Sequence, residues 1–187
     1  MEARIVIPTE SRGDAAVRTR RAYFDCRFGQ LHVRTAFPVT GGFDESVTLF
    51  CLHSSHGSSR IFTRFLSALA DSRSVYAPDL PGFGESDSSP ARSVADAAAA
   101  MLELANALRL GQIDLLGIEY GAEAAVALTA LRPELVRRLV LVGPSVERLP
   151  AVKQQRLMLN AAEHRDETFE AAPDGLVKQV GSFLSRS

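Results

Sequence analysis

Short runs that are apolar almost throughout, VTLFCL at Val47–Leu52, IDLL at Ile113–Leu116 and RLVLV at Arg138–Val142, set the folding options of this chain. A strand with one face in water alternates polar and apolar residues, whereas a near-continuous run reads as a strand covered on both faces. The stretches between these runs carry the other period. Ile61, Phe62, Phe65, Leu66 and Leu69 form a helical stripe behind the capping candidates Ser58 and Ser59. Ser93 caps a second helix to about Leu110, with Val94, Ala98, Met101, Leu102, Ala105 and Leu108 on its core side and Gly111 as its stop. Tyr120–Leu131 is a third helix, and Val75–Ala77 a short strand between the first two. Two strand patterns, Ala22–Phe28 and Leu31–Phe37, precede all of this and are joined at Gly29-Gln30, a hairpin signal. A hairpin followed by strand–helix alternation predicts an α/β fold, a mostly parallel sheet with helices on both faces.

No internal repeat or linker divides the 187 residues, so residues 22–187 are expected to form one domain behind a flexible leader, residues 1–21. The formal net charge of −1 provides no general attraction to nucleic acid or to an anionic membrane surface. No apolar stretch reaches membrane-spanning length. Cys26 and Cys51 have no metal-ligand spacing and make no disulfide framework, which fits a reduced, cytoplasmic setting. Beyond Pro144 the alternation stops, and Val152–Arg165 and Gly175–Leu184 read as helices around Pro173. On that reading Arg138–Val142 is a sheet edge with no proline and no charge within its apolar run. Such an edge invites a homodimer, through the edge itself or by exchange of the C-terminal segment. Alternatively, Val152–Leu159 folds back and covers the edge within one chain.

Four segments carry a family resemblance. DLPGFGESD (Asp79–Asp87) resembles the D-x-x-G-x-G-x-S loop after the fourth strand of many α/β hydrolases. DLLGIEYGAE (Asp114–Glu123) resembles their nucleophile elbow, G-x-nucleophile-x-G. LHSSHGSSRIF (Leu52–Phe62) is similar to the H-G-x-x-G-S-S loop that supplies part of the oxyanion hole, and LVLVGP (Leu139–Pro144) to the sixth strand. These motifs stand in family order across Tyr23–Pro144. EAAPDGLVKQVGSFLSR (Glu170–Arg186) is similar to the family's last helix. The resemblance therefore implies an α/β-hydrolase-like domain that is truncated after the sixth strand except for a C-terminal helix, with no cap domain.

The elbow carries a substitution: position 119 is glutamate where the family has its nucleophilic serine. A carboxylate does not replace an activated hydroxyl in ester hydrolysis, because its acyl product would be a reactive anhydride. Carboxylates do attack alkyl carbon, and the epoxide hydrolases and haloalkane dehalogenases of this superfamily use aspartate there. Glu119 is one methylene longer, and a misplacement of about 1 Å can cost about 100-fold in rate. By resemblance, Tyr120 and Ser55 supply backbone oxyanion donors, Ser54 replaces a loop glycine, and His53 orients the loop. His56 is a candidate for proton transfer, as is His164, the only histidine beyond the sixth strand; each also reads as a solvated residue. Glu147 occupies the vicinity where some members carry their acid, or is simply a surface charge beside Arg148.

No metal cluster or complete dinucleotide fingerprint occurs, since Gly82 and Gly84 lack the third glycine; no cofactor is expected. The favoured expectation is a pseudoenzyme that binds a small apolar ligand or a partner. The alternative is a hydrolase with a remodelled site. It would open epoxides or displace halide through Glu119, or hydrolyse an ester or lactone with water activated by Glu119 or His56.

Overall fold

The computed structural model describes residues 18–38, 47–70, 72–90, 93–143, 157–160 and 174–185. Among these residues seven strands make one sheet: β1 (Arg18–Cys26), β2 (Gly29–Phe37), β3 (Thr48–Leu52), β4 (Val75–Pro78), β5 (Ile113–Ile118), β6 (Val136–Val142) and β7 (Leu157–Asn160). Their order across the sheet is β1-β2-β4-β3-β5-β6-β7. β1, β2 and β4 are joined by antiparallel ladders, and from β4 onward every pairing is parallel. The helices are α1 (Thr63–Leu69), entered through a 3₁₀ turn at Ser59–Phe62, α2 (Val94–Ala107), α3 (Tyr120–Leu131) and α4 (Asp174–Ser185).

The apolar runs are explained by two cores, one on each face of the sheet. Phe50 and Leu52 of β3, Leu115 of β5 and Leu139 and Leu141 of β6 face α2 and α3. Their neighbours Leu49, Cys51, Leu116, Ile118, Val140 and Val142 face α1 and α4. Strand side chains alternate between faces, so a strand with a core on either side is apolar at every position.

Several expectations shift. β1 begins at Arg18 rather than Ala22, inside the expected leader. The hairpin turns at Arg27-Phe28, and Gly29 already belongs to β2. Gly29 is required by a tertiary approach: its φ is +106°, and a Cβ there would lie 2.6 Å from the Asp87 carboxylate. α2 stops at Ala107 instead of Leu110. Arg109, not Gly111, takes the left-handed conformation that ends it, at φ 55°. The N–H of Leu110 donates to Ala105 O and that of Arg109 to Asn106 O, the two bonds of a Schellman cap. The buried side of α2 is Ala97, Ala98, Ala100, Met101, Leu104 and Ala105, while Val94, Leu102 and Leu108 are only half-buried. Ser93 does cap the helix, in a capping box with Asp96.

The largest correction concerns the C-terminal third. Leu157–Asn160, expected to be helical, pairs in parallel with Leu139–Val142. β6 is therefore not an edge, the sheet does not stop at six strands, and the route to a dimer through a bare β6 has lost its premise. A four-residue apolar run cannot be told from a helical segment by periodicity alone. α4 forms where expected and seats Leu176, Val180 and Leu184 in the α1-side core.

A buried ion cluster ties α4 to the sheet. Asp114, fully buried on β5, accepts from Arg73 Nη1 at 2.9 Å and from Arg137 Nε and Nη2 at 2.9 and 2.6 Å. Both arginines also donate to the Leu184 carbonyl, at 3.3 and 2.9 Å, and Arg138 donates to the Phe183 carbonyl. Cations at the last carbonyls of a helix satisfy groups with no partner inside it and oppose its dipole.

Candidate functional site

The parallel strands β3 and β5 end side by side, with Leu52 opposite Gly117, and the loops leaving them carry the candidate site. β5 passes into α3 through a single sharp turn at Glu119, whose φ of 48° and ψ of −110° are strained for a residue with a side chain. The Glu119 N–H donates to Val142 O at 2.9 Å, and its carbonyl accepts from Ala122 and Glu123. The turn closes only because its flanks lack side chains. A Cβ on Gly117 would meet Gly121 O at 2.4 Å, and one on Gly121 would meet Leu52 O at 2.2 Å.

This backbone pushes the Glu119 side chain outward. The residue is exposed, and its carboxylate makes no hydrogen bond or ion pair among the described residues, although it stands at the N-cap of α3. The helix N-terminus beneath it favours negative charge. Tyr120 is half-buried, and burial pushes its hydroxyl up, helped by the negative charges of Asp96 and Glu123; the phenol keeps its proton. The Tyr120 ring lies against Phe83 at 5.7 Å, and Phe83 meets the His53 ring edge-on at 5.6 Å. Phe83, which the sequence reading did not single out, thus supplies an aromatic wall between the elbow and the oxyanion-type loop. Its only signal was a bulky residue between the two glycines of a tight loop.

His53 and Ser54 are buried. The Leu80 N–H donates to His53 Nε2 at 2.9 Å, so the ring proton sits on Nδ1 and donates to Ser54 O at 2.7 Å. The imidazole therefore fastens the 53–57 loop to the Asp79–Asp87 loop. The Ser55 N–H makes no hydrogen bond among the described residues, while Ser55 Oγ lies 3.1 Å from His56 Nδ1. His56 is exposed. His164 and Glu147 lie outside the described residues. Cys51 is fully buried, and burial pushes its thiol far up, which removes it as a nucleophile.

Asp79 organises the neighbouring loop. Its carboxylate accepts from the N–H groups of Ser59 and Glu85 and from His32 Nδ1, and its carbonyl accepts from Ser86 Oγ. Burial pushes its carboxyl up, but the Glu85 and Ser59 amides and the His32 imidazole outweigh that and hold it below the usual range. Gly84 has φ +57°, and any Cβ there would strike this carboxylate. Among the described residues no group of His, Cys, Asp and Glu side chains is arranged to hold a metal ion. Among the same residues no helix is long and apolar enough to cross a membrane.

Comparison with known proteins agrees with this geometry. The model of the alpha/beta hydrolase fold family matches residues 47–183. A 2-hydroxymuconate semialdehyde hydrolase of Pseudomonas sp. (strain CF600) is 44% identical over 95 residues, which cover 45% of this chain and 32% of that protein. A pyrrolizixenacetamide deacetylase of Xenorhabdus hominickii is 34% identical over 97 residues, 51% of this chain and 36% of the relative. A carboxylesterase of Bacillus subtilis superposes with a TM-score of 0.60 at 27% identity, covering 68% of this chain and 44% of that one. The aligned segments thus span about a third of the curated relatives' length.

Proposed function

The chain belongs to the α/β-hydrolase fold family, and from that premise we propose that it is a non-catalytic homologue that binds a small apolar ligand beside the elbow. One observation carries the reading: the strained elbow position holds, in place of a hydroxyl, a solvent-facing carboxylate with no partner among the described residues. A serine there attacks acyl carbon once a base takes its proton. Acyl transfer to the Glu119 side chain would give a reactive anhydride in place of a stable acyl ester. The Phe83–Tyr120 wall and the buried His53 loop remain as an apolar contact surface. The relatives' hydrolase and deacetylase activities therefore do not transfer to this chain as serine chemistry. The setting proposed for it is cytoplasmic. Any self-association is proposed to run through exchange of α4 between two copies, which preserves its contacts with the sheet.

A second reading has its own support, because the Glu119 carboxylate stands at a helix N-terminus in the geometry of an elbow nucleophile. In that case it attacks an alkyl carbon, breaking the epoxide C–O bond, whose oxygen takes a proton from water, or expelling halide, and water then cleaves the resulting ester to alcohol and free carboxylate. The test compares wild type, Glu119→Gln and Glu119→Ser on aryl esters, lactones, epoxides and haloalkanes, with apolar-probe binding measured in parallel. The binding reading expects no turnover by wild type and probe affinity unchanged in Glu119→Gln. Wild-type turnover that disappears in Glu119→Gln refutes it. Transfer of ¹⁸O from labelled water into Glu119 during that turnover identifies the nucleophile.

A further inference from the structure

A second polar centre lies on the hairpin side of the Asp79–Asp87 loop. The Glu85 carboxylate is approached by four cationic or potentially cationic groups: Arg60 Nη2 at 2.9 Å, Arg21 Nη1 at 3.6 Å, and Arg34 Nη2 and His32 Nε2 at 3.7 Å each. Only the Arg60 contact is a hydrogen bond. His32 is fully buried and Arg34 is 7% exposed, yet His32 Nε2 and Arg34 Nε have no hydrogen-bond partner among the described residues. His32 and Arg34 sit two apart on β2 and so share a face. Buried polar atoms are nearly always satisfied, and an exception points to a missing water, ion or ligand. Burial and the neighbouring Arg21 both push the Arg34 guanidinium down from its ordinary value, with Glu85 opposing them.

The anion already present reaches these groups poorly. Glu85 is tethered to a loop fixed by its own N–H on Asp79, and its oxygens stop 3.7 Å from Arg34 Nη2 and from His32 Nε2, which donates only when a second proton joins the ring, since Nδ1–H is given to Asp79. An untethered oxyanion can settle at hydrogen-bond distance from both. We propose that His32, Arg34, Arg60 and Arg21 form a binding site for a small oxyanion, a phosphate or a ligand carboxylate, with the Glu85 side chain as its tethered stand-in. Binding moves the Glu85 side chain aside, frees Arg60 for the ligand, and gives Arg34 the partner that burial demands. This site is separate from the elbow and does not depend on whether Glu119 is catalytic.

The experiment is calorimetric titration of the full chain with inorganic phosphate and, separately, with acetate, at constant ionic strength in chloride. Saturable binding of either anion is expected; phosphate alone marks a phosphate-type ligand, and acetate a carboxylate. Glu85→Gln removes the competing charge and tightens binding by about tenfold, whereas Arg34→Met abolishes it. The tightening is the decisive arm, because a damaged fold weakens binding. No saturable binding in wild type and Glu85→Gln, or equal affinity in wild type and both variants, overturns the proposal and leaves water as the occupant.

Discussion

Replacing Asp114 with asparagine is expected to destabilise the protein more than its near-identical shape suggests. The substitution keeps volume and some hydrogen-bonding capacity but removes the charge that two guanidiniums share. Asp114 is fully buried and the Arg73 side chain is 4% exposed, so water does little to replace the lost anion; Arg137, at 26%, retains partial solvation. Burial already pushes the Arg73 guanidinium down, and Asp114 is the group that chiefly opposes this. Removing one member of a buried pair typically costs 3–5 kcal/mol because the survivor stays buried and unpaired. Discounting the more exposed Arg137 contact places the expected loss at about 3 kcal/mol. With an m value of about 2 kcal/mol/M in urea, the midpoint falls by about 1.5 M. Circular dichroism at 222 nm follows the transition. The same arginines hold the Leu184 carbonyl, so α4 should also lose protection from amide exchange. A midpoint shift below about 0.5 M would refute the assignment of Asp114 as the charge that keeps this cluster together.

Arg109→Gly should stabilise by about 1 kcal/mol, because Arg109 is held at φ 55° in a cap that glycine adopts without strain; thermal melts read this directly, and a loss of stability would show that the arginine side chain does more than cap. Asp79 sets an acid limit. Its folded pKa is depressed, so the stability it adds is full above the unfolded value of about 4 and is lost as pH falls through the folded value. Melting temperatures of wild type and Asp79→Asn between pH 6 and 3 should therefore converge only at the acid end, and a constant gap would count against a depressed carboxyl.

Most of the scaffold was legible because each element announces itself locally. Ser93 caps α2, α3 spans the residues its pattern implied, and the apolar β3, β5 and β6 lie within the two-sided sheet. What escaped was set by distant partners. Leu157–Asn160 becomes a strand because β6 offers it an unpaired ladder, a condition invisible in four residues. Gly29 answers to Asp87, and the left-handed cap fell to Arg109 although a glycine stood two positions on. Asp114 did carry a signal, an acid inside an apolar run, whose meaning depended on Arg73 and Arg137 arriving from elsewhere. At the candidate site the Glu119 substitution and its glycine frame were plain from the motif. The role of Phe83 and the convergence on Glu85 required the loop to be folded.

The locked corner around residue 119 has an evolutionary consequence. Gly117 and Gly121 admit no side chain, and the N–H and C=O of residue 119 are committed to Val142 and to the first turn of α3. None of these constraints involves the atoms beyond the Cβ of residue 119. Selection can therefore exchange the functional group there without renegotiating the architecture, while its neighbours stay pinned. Lineages of such a fold can pass between hydroxyl, carboxylate and chemically silent states one codon at a time, and the scaffold outlives each chemistry it has carried.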